Sequence, residues 1–494
     1  MQRSKADTDQ DAQSLDRSLG HGSTIDADIC VIGAGSGGLS VAASTVQLGA
    51  KVVLIEKHKM GGDCLNYGCV PSKALIAAAR RAHEMRTSGK FGVVPVAPQV
   101  DPVAVKAHVH SVIGAIAPND SVERFTGLGV QVIQAHGRFR DKNTVEAGDL
   151  LIKAHRFVIA TGSSPAVPPI PGLDKVPYFT NETLFDNTEA MGHLIVIGGG
   201  PIGMELAQAH LRLGAAVTVL EGLKALGKDD PELSDVVLKH VRSEGLVVRE
   251  GAKVERISGW PGNIRVEVST PDGPETIEGT HLLIATGRKP NVEDLNLEAA
   301  GIKYDKRGIM VNGGLVTSNR KVFAIGDVTG GLQFTHVANY HAGIVFRRAL
   351  FRLPAKVNNE IVPWVTYTDP ELAQVGLSED AARKKHSAIN VFRWPYHEND
   401  RAQTERATEG FVKVVTDKKG RILGAGIVGA HAGELIQIWS LAISQGLKIT
   451  AMTQWVAPYP TLGEISKRAA LGTYALSAGN PLVRKVVTLL RKLG

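Results

Sequence analysis

Two of the chain's three cysteines, Cys64 and Cys69, lie five positions apart in MGGDCLNYGCVPSKALIAAARRAHEM. Gly61, Gly62 and Gly68 around them make a loop, and Pro71 suits the first turn of a helix entered at about Val70. A helix N-terminus stabilises a thiolate and lowers its pKa. The residues between the two cysteines are partly irregular, so the sulfurs can meet and cycle between dithiol and disulfide. Two buried core cysteines are the plain alternative. A zinc site needs further ligands at matching spacing; none is present, so no metal is expected. The third cysteine, Cys30, sits in an apolar run and reads as core.

The elements that must hold this pair lie on either side of it. Ile29, Cys30, Val31 and Ile32 form an unbroken apolar run, as a parallel strand buried on both faces requires. Gly33, Gly35 and Gly38 follow as G-x-G-x-x-G, then a helix, then a strand closed by Glu56, 23 residues after Gly33. In such a unit the first glycine makes the turn and the second lets a pyrophosphate approach the backbone. The third lets helix and strand pack closely. The helix N-terminus offers free N–H groups to phosphate, and the acid accepts from ribose hydroxyls. HLIVIGGGPIGMELAQAHLRLGAAVTVLE repeats the unit with Gly198, Gly200 and Gly203, and Glu221 again lies 23 residues on. One such motif is weak evidence; two complete copies are an internal duplication and predict two bound dinucleotides.

RFVIATGSSP and HLLIATGRKP each place an apolar strand before Ala-Thr-Gly, with Thr161 and Gly162 in the first and Thr286 and Gly287 in the second. SSPAVPPIPG, residues 163–172, reads as a linker. KVFAIGDVTGG puts Asp327 at a strand end, a second place where a carboxylate can meet a cofactor. From about Ile361 apolar and polar residues alternate around a turn at Lys419-Gly420, which predicts an antiparallel sheet with helices from Ala432 onward. Residues 1–24 are polar, mixed in charge and without period or a secretory-type apolar core, and read as the disordered leader of a cytoplasmic protein. With 494 residues, 54 of them glycine, and 43% hydrophobic, the composition fits an α/β protein of several domains and excludes a disordered, fibrous or disulfide-scaffold one. No apolar run reaches the roughly 18–20 residues of a membrane span. The net charge of +7 is not gathered in a basic block, so no nucleic-acid partner is expected.

GGDCLNYGCVPSK resembles the redox-active motif of the flavin-dependent pyridine nucleotide-disulfide oxidoreductases, which include dihydrolipoamide dehydrogenase, glutathione reductase and mercuric reductase. The resemblance runs in order through residues 26–475 and takes in both fingerprints, both Ala-Thr-Gly strands and the Gly-Asp strand end. It implies an α/β fold with two Rossmann-like dinucleotide-binding domains and a C-terminal α+β dimerisation domain built on antiparallel sheet. The implied divisions are 25–165 with 290–360 for FAD, 166–289 for NAD(P)H, 361–478 for dimerisation and 479–494 for a basic amphipathic tail helix. FAD would lie on Gly33, Gly35, Gly38 and Glu56, with Thr161, Gly162 and Asp327 completing its site. The nicotinamide cofactor would lie on Gly198, Gly200, Gly203, Glu221 and Gly287. Cys69 would be the thiol next to the flavin and Cys64 the interchange thiol; Lys73 would stand near flavin N5, ion-paired to Glu205. His336 follows the Gly-Asp strand end, where the family's matching helix start lies close to the flavin, and is a further candidate. The resemblance also implies a homodimer in which each site is completed by the other subunit. NADH is expected over NADPH, because the Glu221 carboxylate accepts from a ribose 2′-OH and repels a 2′-phosphate.

The chain departs from that pattern near its end. Disulfide-reducing members carry His-Pro-Thr-x-x-Glu, whose His is the acid–base for thiol exchange. Here the matching stretch is APYPTLGEISKRAA, with Tyr459 in place of the His and Glu464 retained. A phenol with an ordinary pKa of about 10 is a poor base at neutral pH. Mercuric reductases also carry Tyr here, but end in a vicinal cysteine pair, whereas no cysteine follows Cys69 in this chain. The expected acceptor is a disulfide, lipoyl or small-thiol. The alternatives are a metal ion, as in mercuric reductase, a quinone or other small molecule, or, outside enzymes, redox sensing without turnover. In the tail NPLVRKVVTLLRKLG, Leu482, Val483, Val486, Val487, Leu489, Leu490 and Leu493 fall largely on one helical face against Arg484, Lys485, Arg491 and Lys492. Such a helix docks on the dimer or lies on an anionic membrane surface.

Overall fold

The structure is a computed structural model that describes residues 23–478 and 481–492. It opens with β1 (Thr24–Ile32), α1 (Ser36–Val46) and β2 (Val52–Glu56), the strands parallel and in register from Ile29 opposite Val52. Two helices follow, α2 (Gly62–Asn66) and α3 (Cys69–Thr87), then α4 (Pro102–Ile116). β3 (Gln131–Gln134), β4 (Gly137–Asp141), β5 (Thr144–Ala147) and β6 (Leu150–Ile159) complete a sheet ordered β3-β2-β1-β6-β5-β4. The central place of β1 buries Ile29, Cys30, Val31 and Ile32, which is why that run carries no polar residue.

After β7 (Ser163–Pro165) the chain builds a second domain from β8 (His193–Ile197), α5 (Pro201–Arg212), β9 (Ala216–Glu221), α6 (Pro231–Ser243) and β10 (Val247–Glu250). A ribbon of β11 (Lys253–Trp260), β12 (Asn263–Thr270) and β13 (Gly273–Gly279) leads to β14 (His281–Ile284), giving a parallel sheet ordered β10-β9-β8-β14. β15 (Arg288–Pro290) pairs antiparallel with β7, so the two crossings between the domains are zipped together. A small ribbon, β16 (Tyr304–Asp305) and β17 (Gly308–Ile309), precedes β18 (Val322–Ala324), which rejoins the first sheet beside β6, and α7 (Thr335–Ala349) packs over that sheet with α1. The third domain is a five-stranded antiparallel sheet of β19 (Pro363–Thr366), β20 (Glu371–Gly376), β21 (Ile389–Pro395), β22 (Phe411–Asp417) and β23 (Ile422–Gly429), ordered β19-β20-β23-β22-β21. α8 (Ala432–Ser444) and α9 (Glu464–Ala478) flank it, and α10 (Pro481–Leu490) ends the described chain. Among the described residues no helix is long and apolar enough to cross a membrane.

Three boundaries differ from the sequence reading. Thr24 belongs to β1 and not to the leader, because the long β6 offers its backbone a partner at Leu151; residues 1–22 lie outside the described part. The segment 163–172 is only in part a linker, since Ser163–Pro165 is strand. The helix after the redox loop starts at Cys69 itself, with Gly68 as its N-cap.

Candidate functional site

The loop that carries the cysteines is shaped by glycine. Gly61 and Gly62 take φ of +85° and +60°, a left-handed region open to residues without Cβ. The turn they make starts α2, which carries Cys64; Cys69 then opens α3. Both thiols are free, and each is the largest influence on the other's acidity. Cys69 Sγ also lies 3.3 Å from Thr335 Oγ1, at the first residue of α7. The hydrogen bond from Cys64 is the largest cause that lowers the Cys69 pKa to about 6; Thr335 and the Lys73 charge add to it, against burial. Cys64 is pushed up by the same hydrogen bond and by burial. The pair therefore favours the thiolate at Cys69 and the thiol at Cys64. Asp63, beside Cys64, anchors the loop to Arg288 at 3.1 Å and to Asn181 at 3.3 Å.

Lys73 stands one helical turn beyond Cys69 on α3. Its ammonium lies 2.7 Å from Glu205 Oε2 on α5. The two helices are brought together by a shared core in which Leu75 and Ala79 pack with Leu206 and Ala207. Burial opposes the charge on Lys73, but the Glu205 carboxylate, Cys69 and Tyr367 together outweigh it, so the ammonium's pKa is raised.

The two fingerprints have matching shapes. A Cβ on Gly33 would lie 2.5 Å from the Ala160 carbonyl oxygen, and one on Gly38 would lie 1.9 Å from that of Gly33. In the second copy a Cβ on Gly198 would lie 2.4 Å from the Ala285 oxygen, and one on Gly203 would lie 1.9 Å from that of Gly198. The middle glycines differ: nothing lies within 4 Å of a Cβ on Gly200, and only Gly62 Cα, at 3.9 Å, approaches one on Gly35. The outer glycines are packed and the middle one leaves an open face at a helix N-terminus, the shape a pyrophosphate needs. Glu56 accepts from the Ala34 N–H at 2.6 Å and Glu221 from the Gly199 N–H at 2.7 Å, so each acid spans its own fingerprint loop. Asp327 accepts from Ser163 Oγ at 2.6 Å; burial raises its carboxyl against the pull of Ser163 and Arg288. The residues present fit two dinucleotides. Thr161 spends its hydroxyl on the Asn291 carbonyl at 2.8 Å, and Thr286 on that of Ala166 at 2.7 Å, so both threonines tie down the domain crossings. Gly162 and Gly287 take φ of +67° and +137°, with nothing within 4 Å of an added Cβ.

Two candidates stand apart from the thiols. His336 donates from Nε2 to the Pro363 carbonyl at 2.7 Å and stacks on Phe334, and burial lowers its pKa. It packs, while its neighbour Thr335 reaches the sulfur. Tyr459 is 69% exposed and donates to Asp400 Oδ2 at 2.8 Å, while Glu464 opens α9. No hydrogen bond or ion pair among the described residues joins either to the cysteines of the same subunit. Thr335, Asp63, Arg288 and Tyr367, whose ring lies 4.4 Å from the Lys73 ammonium, were missed in the sequence. Asp63 had a readable signal, a charge beside Cys64; Tyr367 and Arg288 had none in spacing.

Residues 27–342 match the pyridine nucleotide-disulphide oxidoreductase family, and residues 362–470 match its dimerisation domain. The chain is 38% identical over 447 residues to a mercuric reductase of Lysinibacillus sphaericus, covering 90% of this chain and 82% of that one. It is 34% identical over 461 residues to a dihydrolipoyl dehydrogenase of Staphylococcus aureus, covering 90% and 96%. Among solved structures, the Cu(II) complex of the HOCl-induced flavoprotein disulfide reductase RclA from Escherichia coli is similar with a TM-score of 0.81 at 28% identity, covering 90% of this chain and 99% of that one. LpdA from Mycobacterium tuberculosis is similar with a TM-score of 0.83 at 26% identity over the same shares. Sequence and fold agree over most of the chain's length: it belongs to the pyridine nucleotide-disulphide oxidoreductases, FAD-dependent enzymes that draw on NAD(P)H.

Proposed function

We propose that the protein carries electrons from NADH, by way of FAD and the Cys64–Cys69 pair, to a disulfide acceptor, a lipoyl group or a small-thiol disulfide. The observation that carries this reading is a pair of free thiols at the redox loop, Cys64 on α2 and Cys69 opening α3, with Cys69 Sγ 3.3 Å from Thr335 Oγ1 and Lys73 one turn on. In this reading FAD lies on Gly33, Gly35 and Gly38 with Glu56 and Asp327, and the nicotinamide cofactor on Gly198, Gly200 and Gly203 with Glu221. Bound there, the two dinucleotides supply hydride transfer. The chain's own residues do the rest. Thr335 and Lys73 hold negative charge on Cys69. Cys64 passes its proton to the neighbouring Cys69 thiolate and attacks the acceptor disulfide, forming a mixed disulfide and releasing one acceptor thiolate, which takes that proton from Cys69. Cys69 then attacks the Cys64 sulfur, closing the Cys64–Cys69 disulfide and releasing the second.

Glu221 supports NADH over NADPH by accepting from a 2′-OH and repelling a 2′-phosphate. A kcat/KM about tenfold or more higher with NADH is expected; the reverse order overturns the assignment.

One observation favours a second reading. A Tyr459 hydroxyl that donates to a carboxylate is no base, and a soft metal ion taken up by thiolates needs none. Anaerobic reduction with NADH, followed by lipoamide, glutathione disulfide, Hg(II), Cu(II) and quinones in turn, separates the cases. Turnover with the disulfides supports the first reading and turnover with metal ions alone the second. A stable reduced flavin with no turnover points to redox sensing.

A further inference from the structure

Three domains meet at one lysine. Lys73 comes from α3 of the first domain, Glu205 from α5 of the second, and Tyr367 from the turn between β19 and β20 of the third. The Lys73 ammonium lies 2.7 Å from Glu205 Oε2 and 4.4 Å from the centroid of the Tyr367 ring. The Tyr367 backbone N–H donates to Glu205 Oε1 at 2.9 Å. One residue thus touches both halves of the ion pair, its ring on the cation and its backbone on the anion. A lysine ammonium is a point charge on a flexible stem, and Glu205 restrains it from one side, with a longer hydrogen bond to Ser72 Oγ at 3.4 Å. An aromatic face attracts a cation within about 6 Å of its centroid and restrains it from the other.

The place of that charge matters because Lys73 follows Cys69 by one turn of α3, and its positive field is among the causes that favour the Cys69 thiolate. We propose that Tyr367 is a positioning residue that pins the Lys73 ammonium beside Cys69, so that the third domain governs the charge of the redox pair in the first. The other charged or titratable groups facing this cluster are Cys64 and Asp63 from the redox loop, Glu205 from α5 and Glu371 from β20, and the neutral Thr335 hydroxyl faces it from α7. Burial pushes the Tyr367 hydroxyl up, so its ring is neutral at working pH and can be removed without removing a charge.

The proposal rests on FAD lying beside Cys69, and the test separates the two. In holoenzyme carrying Cys64→Ser, Cys69 is the sole thiol of the pair. The long-wavelength absorbance of its thiolate against oxidised FAD is followed with pH. Adding Tyr367→Leu keeps the backbone bond to Glu205 and removes the ring; the midpoint should rise by about half a pH unit or more, about threefold in acidity. Adding Tyr367→Phe keeps the ring and should leave the midpoint where Cys64→Ser alone puts it. An unshifted midpoint with Leu overturns the proposal, and so does a Phe variant that shifts as far as Leu, since the hydroxyl and not the ring would then act. If Leu costs the protein its FAD, Tyr367→Met is read by the same two criteria. If Cys64→Ser itself shows no such band, the FAD placement falls. The midpoint is then taken from the rate of Cys69 alkylation by iodoacetamide, with the same criteria for Tyr367.

Discussion

Cys69 and Cys64 differ in acidity because one sulfur accepts the hydrogen bond that the other donates. Cys69, lowered to about 6, is a thiolate above that pH and loses its charge as the pH falls through it. The long-wavelength band of two-electron-reduced enzyme should therefore fade on acidification through about pH 6. Cys64→Ser should retain FAD and show the band without reduction, and Cys69→Ser should lose it. A band that survived Cys69→Ser would exchange the roles of the two thiols. Tyr459 is the other residue whose chemistry departs from thiol exchange. Restoring an imidazole with Tyr459→His should raise lipoamide-linked turnover, within the roughly 10²–10⁴-fold that a general base contributes. No gain, with FAD and dimer intact, would show that the pocket serves another acceptor.

Helices and strands act here through how closely they approach. A Cβ on Gly203 would lie 1.9 Å from the Gly198 carbonyl oxygen, so Gly203→Ala must push α5 away from β8. Overpacking of this kind costs about 1–3 kcal/mol. The expected result is a KM for NADH raised about tenfold or more with flavin content unchanged, read from NADH titration and flavin absorbance. Gly38→Ala makes the same clash against Gly33 and should instead lower the flavin content. Flavin loss from both variants alike would break the division of the two cofactors between the two units.

The whole molecule is held by contacts between domains. Lys413 of β22, with only 4% of its side chain exposed, bonds Asp230, Glu232 and Glu379, and so joins the second domain to the third. Lys413→Met leaves the buried Asp230 without its cation, while Glu232 and Glu379 keep Arg393, and should cost about 3–5 kcal/mol, seen as a lower Tm with the flavin spectrum kept. The tail helix α10 is amphipathic and exposes Leu482, Val486, Leu489 and Leu490 on the single subunit. The match to the family's dimerisation domain ends at residue 470, before this helix, and whether a second copy covers that face is tested by truncation. With a second copy there, a form ending at Gly479 should dissociate in sedimentation experiments. Loss of binding to anionic vesicles, with the dimer kept, would assign the face to a membrane surface instead.

The features legible in the amino-acid sequence were those set by the backbone over short spans. Glycines at fixed offsets, an apolar run, an acid 23 residues on and a cysteine pair before a helix each report a local geometry, and their order shows two dinucleotide units and an antiparallel third domain. What only the tertiary structure decided is which side chains from distant elements meet. Thr335 reaches Cys69 across 266 positions, while its neighbour His336, about 100° further round α7, is turned to Pro363. Asp400 takes the Tyr459 hydroxyl, and Tyr367 covers Lys73 from another domain. Spacing along the chain carries no record of such contacts, because they depend on how helices and sheets pack, and packing is settled by the whole core at once.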